Sequence, residues 1–313
     1  MLFAPLPATI WLVHRTLLLI SLVVALAVFI PVAAFAQNGR PPGLNAECVL
    51  LLDPDGKILY AKNADNEHAP ASLVKLMTLY LAFEDLETGR ADLEEPVSIS
   101  RWAASTPRYR MGLRAGEHVP LRVLMEGVAI ASANDAAAAL AEHLGGDEAA
   151  FVARMNAKGQ ELELSGTRFA NPHGLPDPLQ HSTARDLALL TTRLLTDFPA
   201  SRTMLGGQTF IYRGRVYARH IPLFNDPGGV QALKTGFTKE AGYNLAVSAW
   251  RAGQQFVMIV LGAQTRALSF LDAKKLLRYG FVEAGIDAPP EIRASRPPQK
   301  KSIRARRSPV TQQ

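Results

Sequence analysis

Three short clusters hold the residues that could do covalent chemistry. In Ser72-Leu73-Val74-Lys75 a hydroxyl precedes an amine by three residues, and on a helix that spacing puts both on one face. Pro70-Ala71 and the apolar-periodic stretch after them place Ser72 at a helix start, where free backbone N–H groups and the positive dipole end stabilise a developing oxyanion. Ser132-Ala133-Asn134 sets a hydroxyl and an amide on one turn, suited to relaying a proton and holding a peptide group. Lys234-Thr235-Gly236 ends an apolar run; alternation puts Lys234 and Gly236 on one face, a cation beside a position with no side chain to block a close approach. Each cluster has an ordinary reading too: a plain N-cap, a helix boundary and a solvated edge-strand lysine.

The elements that must position these residues follow from hydrophobic periodicity. Glu47–Leu52 and Lys57–Ala61 are β-prone runs joined by Asp53-Pro54-Asp55-Gly56, a hairpin. From about 70 to 200 the spacing is helical, as in Leu73, Leu76, Met77, Tyr80 and Leu81, then in Leu121, Leu124, Met125 and Val128, then in Phe151, Met155 and Leu162. Strands return at 230–233, 243–249 and 256–261, and a closing helix is predicted over 268–279. Neither the hairpin nor the three late strands can bury a face alone. The expected fold is therefore α/β of the α+β type: one antiparallel sheet of about five strands flanked by helices, with a mostly helical second lobe and a cleft at the junction.

Composition narrows the function classes. The 313 residues are 48% hydrophobic and 20% charged with a single cysteine, which excludes a disordered chain, a disulfide-rich miniprotein and a multi-span membrane protein. Cys48 begins an apolar strand and reads as a buried, inert thiol. Of the 34 lysines and arginines, one (Arg15) lies in residues 1–36 and seven lie in 293–313, which leaves 26 against 28 acids in the body. A nearly neutral body implies no nucleic-acid surface. Arg15, the apolar stretch after it and Ala34-Phe35-Ala36 predict an export signal over 1–36, with an uncleaved anchor as the rival; either puts the body outside the cytoplasm. Residues 37–286 are then the catalytic domain. Residues 287–313 are a basic tail expected to be disordered, with Pro297, Pro298 and Pro309 against an amphipathic anchor; its basic run could touch anionic lipid or wall polymer. The histidines show no metal-binding spacing, so no metal and no cofactor are expected. His173 and His181 read as loop-fixing residues; Arg219 and His220 either border the cleft or face solvent.

Taken in order, the three clusters resemble those of the serine penicillin-recognising enzymes. The sequence is most similar to low-molecular-mass penicillin-binding proteins of the D-alanyl-D-alanine carboxypeptidase type over about residues 45–285. Five blocks carry the likeness: Ala71–Thr78, Ser132–Ala136, Asn171-Pro172-His173-Gly174-Leu175, His181–Asp186, and Lys234–Thr238 with Ala241-Gly242-Tyr243-Asn244-Leu245. The resemblance implies a β-lactamase/transpeptidase-like fold, a peptidoglycan stem peptide as substrate and β-lactam antibiotics as covalent inhibitors. It also implies Ser72 as nucleophile, Lys75 as general base and Ser132 as proton relay. Asn134, Lys234, Thr235 and Gly236 would bind substrate, and the N–H groups of Ser72 and Phe237 would form the oxyanion hole.

A lysine base must lose its proton near neutral pH. A like charge about 5 Å away at an effective dielectric of ~20 costs roughly 3 kcal/mol, or ~2 pKa units, which makes Lys234 the expected cause of that loss at Lys75. Some relatives carry an additional arginine for the substrate carboxylate, and Arg266 is the weak candidate here. A class A β-lactamase needs a glutamate to activate water, and Gly166–Asn171 offers none. Endopeptidase cleavage of cross-links and a non-catalytic wall-binding receptor remain the alternatives.

Overall fold

Five antiparallel strands form the sheet around which the chain is built. In the computed structural model, which describes residues 41–286, β1 (Cys48–Leu52) and β2 (Ile58–Lys62) form the first hairpin. Asp53 Oδ1 closes its turn by accepting from the N–H groups of Asp55 (3.0 Å) and Lys57 (2.8 Å). After a helical insertion come β7 (Val230–Thr238), β8 (Gly242–Arg251) and β9 (Gln254–Ala263). The order β2-β1-β9-β8-β7 joins the two ends of the chain through β1 and β9, where Leu50 faces Ile259, so the expected five-stranded sheet forms. The predicted export signal and the predicted basic tail lie outside the described residues.

Both faces of the sheet are covered, which is why its central strands read as unbroken apolar runs. Val49 and Leu51 point to one side with Val247, Met258 and Val260, under the closing helix, observed at Arg266–Glu283 rather than 268–279. Cys48 and Leu50 point to the other with Val257, Ile259 and Leu261, against the helical lobe. Cys48 is buried, and burial raises its thiol pKa, in line with an inert role.

The helical lobe is organised by two buried helices, one over Lys75–Glu87 and one over Asn134–Gly145. Ala136–Ala141 are all buried, and the five alanines among them let neighbouring helices approach closely. Two short pairs of strands add to the mostly helical lobe expected from sequence. Strands β3 (Pro96–Ser98) and β4 (His118–Pro120) pair inside the lobe, and three residues are too few to show a period of two. A second hairpin, β5 (Thr209–Tyr212) and β6 (Arg215–Ala218), turns at Arg213-Gly214 and is tied to the lobe by Tyr217, whose hydroxyl donates to the Met111 carbonyl.

Candidate active site

Ser72 sits on a tight turn rather than at an ordinary helix start. Residues Ala71–Val74 form a 3-10 turn, the α-helix begins only at Lys75, and Ser72 caps nothing with its side chain. Ala71 has a positive φ of 49°, uncommon for a residue with a side chain, and such conformations persist only where the surroundings hold them. Two glycines do so. A Cβ on Gly236 would lie 3.1 Å from both Pro70 O and Ser72 N, and one on Gly174 would lie 2.9 Å from Ser72 N. The sequence reading reserves Gly236 for a substrate's approach; the group that approaches it here is the serine turn itself.

Lys75 is fully buried, and its Nζ donates to Ser72 Oγ at 3.2 Å, to Asn134 Oδ1 at 2.7 Å and to the His173 carbonyl. Burial lowers its pKa from 10.5 to about 7, and the carboxylate of Asp135 opposes that fall. The depression thus comes first from desolvation, not from Lys234 as the sequence reading has it. Lys234 is itself buried and is pushed well below its ordinary range by burial, then by Lys75 and Arg219. Deprotonated, Lys75 still has two N–H donors for Asn134 and His173 and a lone pair toward the Ser72 hydroxyl.

Ser132 enters from the opposite wall. The π-helical turn Gly127–Ala131 ends at Ser132 in a left-handed conformation (φ 56°, ψ 34°), which directs the chain into the cleft before the next helix begins at Asn134. Ser132 Oγ accepts from Lys234 Nζ at 2.8 Å. Asn134 Nδ2 donates to Pro107 O at 2.9 Å and to the Arg108 carbonyl, so its amide links Lys75 to the 107–111 loop.

Lys234, Thr235 and Gly236 lie within β7, which runs on to Thr238, and β7 is the sheet's edge strand, so its outer backbone groups have no partner strand. Phe237 is half exposed and packs on Tyr243 with ring centroids 4.3 Å apart. Ser72, Ser132, Thr235, Gly236 and Phe237 line one cleft of about 650 Å³.

Three residues weighed in the sequence reading lie at or beside the site. His173 matters through its carbonyl, which Lys75 bonds; burial and Lys75 hold its imidazole pKa near 3, so the ring stays neutral and fixes the loop. Of the two readings of Arg219, bordering the cleft is the one the structure shows. It lines the cleft and donates to the carbonyls of Gly207 (2.8 Å), Ala129 (3.2 Å), Leu233 (2.9 Å) and Leu205, and burial lowers its pKa to about 10. Arg266 lines the cleft as well, donating to His220 O at 3.1 Å.

Asp135, beside Asn134, is fully buried and accepts from the N–H groups of Met111 (3.0 Å), Gly112 (2.9 Å), Leu113 (3.1 Å) and Ala136 (3.0 Å). Asp135→Asn is expected to cost roughly 1–3 kcal/mol of stability by replacing an acceptor of four N–H bonds with a half-donor amide. It should also move the Lys75 pKa below about 7, because the opposing carboxylate is gone. An NMR titration of the Lys75 amine, with a melting curve beside it, checks both; an unmoved midpoint would refute the electrostatic role.

A model of the D-alanyl-D-alanine carboxypeptidase family matches residues 36–265. The chain is 37% identical over 265 residues to D-alanyl-D-alanine carboxypeptidase DacC of Escherichia coli, covering 82% of this chain and 66% of that protein. It is 31% identical over 285 residues to a D-alanyl-D-alanine endopeptidase of Pseudomonas aeruginosa, covering 85% and 88%. Penicillin-binding protein D2 of Listeria monocytogenes, solved in its cefotaxime-bound form, superposes with a TM-score of 0.71 at 31% identity, covering 78% of this chain and all of that one. The chain spans about two thirds of the length of the carboxypeptidases it matches.

Proposed function

As the chain belongs to the D-alanyl-D-alanine carboxypeptidase family, we infer that it is a serine D,D-carboxypeptidase that removes the terminal D-alanine from peptidoglycan stem pentapeptides. The observation that carries this reading is Lys75 Nζ, buried, with a pKa of about 7, at 3.2 Å from Ser72 Oγ. Neutral Lys75 takes the Ser72 proton as the oxygen attacks the carbonyl between the last two D-alanines. The N–H groups of Ser72 and Phe237 receive the oxyanion. Ser132, held by Lys234 at 2.8 Å, passes a proton to the leaving amine, and water then hydrolyses the Ser72 ester.

Lys234 and Thr235 hold the terminal carboxylate, beside the Gly236 backbone. Asn134 lies where a substrate amide would pass, although its own amide already bonds Lys75, Pro107 and Arg108. β-Lactams acylate the same serine. The site is reached outside the cytoplasm, in the periplasm or its equivalent, after export directed by residues 1–36; the basic tail can contact lipid or wall polymer.

A second reading, endopeptidase cleavage of cross-links, is supported by the likeness to the Pseudomonas enzyme over most of both chains. Incubation with a pentapeptide stem and with a cross-linked dimer, followed by mass analysis, separates the two. Release of one alanine is expected; monomers from dimers would favour the endopeptidase, and no product would leave a receptor. Ser72→Ala is expected to abolish covalent labelling by a fluorescent penicillin, and intact labelling would remove Ser72 as nucleophile.

A further inference from the structure

Among the described residues, the cleft around Ser72 is walled by Arg110, Arg215, Arg219 and Arg266 and by no aspartate or glutamate. Residues 37–292 are nearly balanced, with 26 bases against 28 acids, so this one-signed wall is local. Two of the four guanidiniums are already engaged. Arg219 holds four carbonyls, and Arg266 bonds His220 O and lies over the Phe270 ring.

Arg110 and Arg215 are placed differently. Among the described residues neither pairs with a carboxylate. Arg110 Nη1 makes a long 3.4 Å contact to Ala104 O, and the Arg215 guanidinium rests over the Tyr217 ring at 4.9 Å. The nearby Glu117 is engaged by Tyr212 (2.5 Å), Arg213 (3.3 Å) and the Arg114 N–H (2.6 Å). The two arginines share one stretch of the rim, because Tyr217 under Arg215 donates to the carbonyl of Met111, the residue after Arg110. The same loop is fixed to the catalytic side: Asn134 N–H donates to Tyr109 O at 2.6 Å, and Asn134 bonds Lys75.

Unpaired cations along a cleft focus the field on whatever anion enters it. In the reading proposed above, on which this inference rests, the leaving D-alanine has one carboxylate, taken by Lys234 and Thr235. Any second anion must then lie upstream of the scissile bond. We infer that Arg110 and Arg215 form a subsite for an upstream carboxylate of the stem peptide, so that the enzyme prefers an acidic stem to one whose acid is amidated.

Two pentapeptides ending in D-alanyl-D-alanine, identical except that one upstream side-chain carboxylate is free in the first and a carboxamide in the second, test this by release of D-alanine. For the unaltered protein, kcat/KM is expected to be about three- to fivefold higher for the free acid at low salt, the upper end for one partly exposed ion pair. The advantage should shrink as the Debye length falls below ~8 Å. In Arg110→Gln/Arg215→Gln the ratio should drop below about twofold, and in Arg110→Lys/Arg215→Lys part of it should return. Equal rates for both peptides with the unaltered protein would overturn the subsite and leave the carboxypeptidase reading intact. An undiminished preference in the glutamine variant would assign the preference elsewhere and overturn it as well. No alanine from either peptide would overturn the activity and the subsite together.

Discussion

Lys75→Met is expected to lower acylation by a fluorescent penicillin about 10²- to 10⁴-fold, the range for removing a positioned general base. The substitution roughly keeps the volume and deletes the amine that lies 3.2 Å from Ser72 Oγ. In the unaltered protein the acylation rate should rise about tenfold per pH unit below about 7 and level off above it, because only the neutral amine can take the serine proton. The residual rate of the methionine variant should lack that limb. Lys75→Arg should not rescue it, since a guanidinium keeps its proton at every working pH.

A thermodynamic signature separates this role from a structural one. Burial depresses the folded-state pKa of Lys75 from 10.5 to about 7, so between those values the unfolded chain binds the extra proton. Stability owed to this amine therefore rises with pH across that window and is lowest below about 7, where a charge is buried. Relative to the unaltered protein, Lys75→Met should melt higher at pH 6 than at pH 9, even though it leaves Asn134 Oδ1 and the His173 carbonyl without their donor. A pH-independent difference in melting temperature together with an unchanged acid limb would refute Lys75 as the base.

Gly174→Ala is the second large effect. Gly174 has φ 81°, and an added Cβ would lie 2.5 Å from the Ala71 carbonyl carbon, nearer still to its oxygen, and 2.9 Å from Ser72 N. All three neighbours are backbone, so no rotamer change relieves the clash and one of the two loops must move. A displacement on the order of 1 Å at a nucleophile costs about 10²-fold in rate. It would also carry away the His173 carbonyl that orients Lys75, since the loop is tied by Gly174 N–H to Asn171 Oδ1 (2.7 Å) and by Thr78 Oγ1 to Pro172 O (2.6 Å).

Gly116→Ala is the control. Its φ of 84° imposes a like backbone penalty of roughly 1–2 kcal/mol, yet nothing lies within 4 Å of the added carbon. It should lose stability but keep penicillin labelling. Equal labelling by both variants would show that the close approach of Gly174 to the serine turn has no bearing on acylation.

Most of the architecture is legible in one dimension because it rests on local periodicity. The apolar runs at 48–52 and 256–261, the turn at 53–56 and the helical spacing from Leu73 to Leu81 each declare their element within about ten residues. The hairpin of β5 and β6 and the three-residue strands β3 and β4 were not visible in that way. Their pairing depends on contacts with the rest of the lobe, such as Tyr217 reaching Met111, 106 residues away.

The amino-acid order by itself determined which groups are available: an alcohol and an amine three residues apart at 72 and 75, a second alcohol and an amide at 132 and 134, and a second amine at 234. Tertiary structure decided what state those groups are in. Lys75 meets Asn134 and His173 across 59 and 98 residues, and Lys234 meets Ser132 across 102. The proton affinity of an amine depends on how much water surrounds it and on charges such as that of Asp135, and both are set by packing that no short stretch of chain contains.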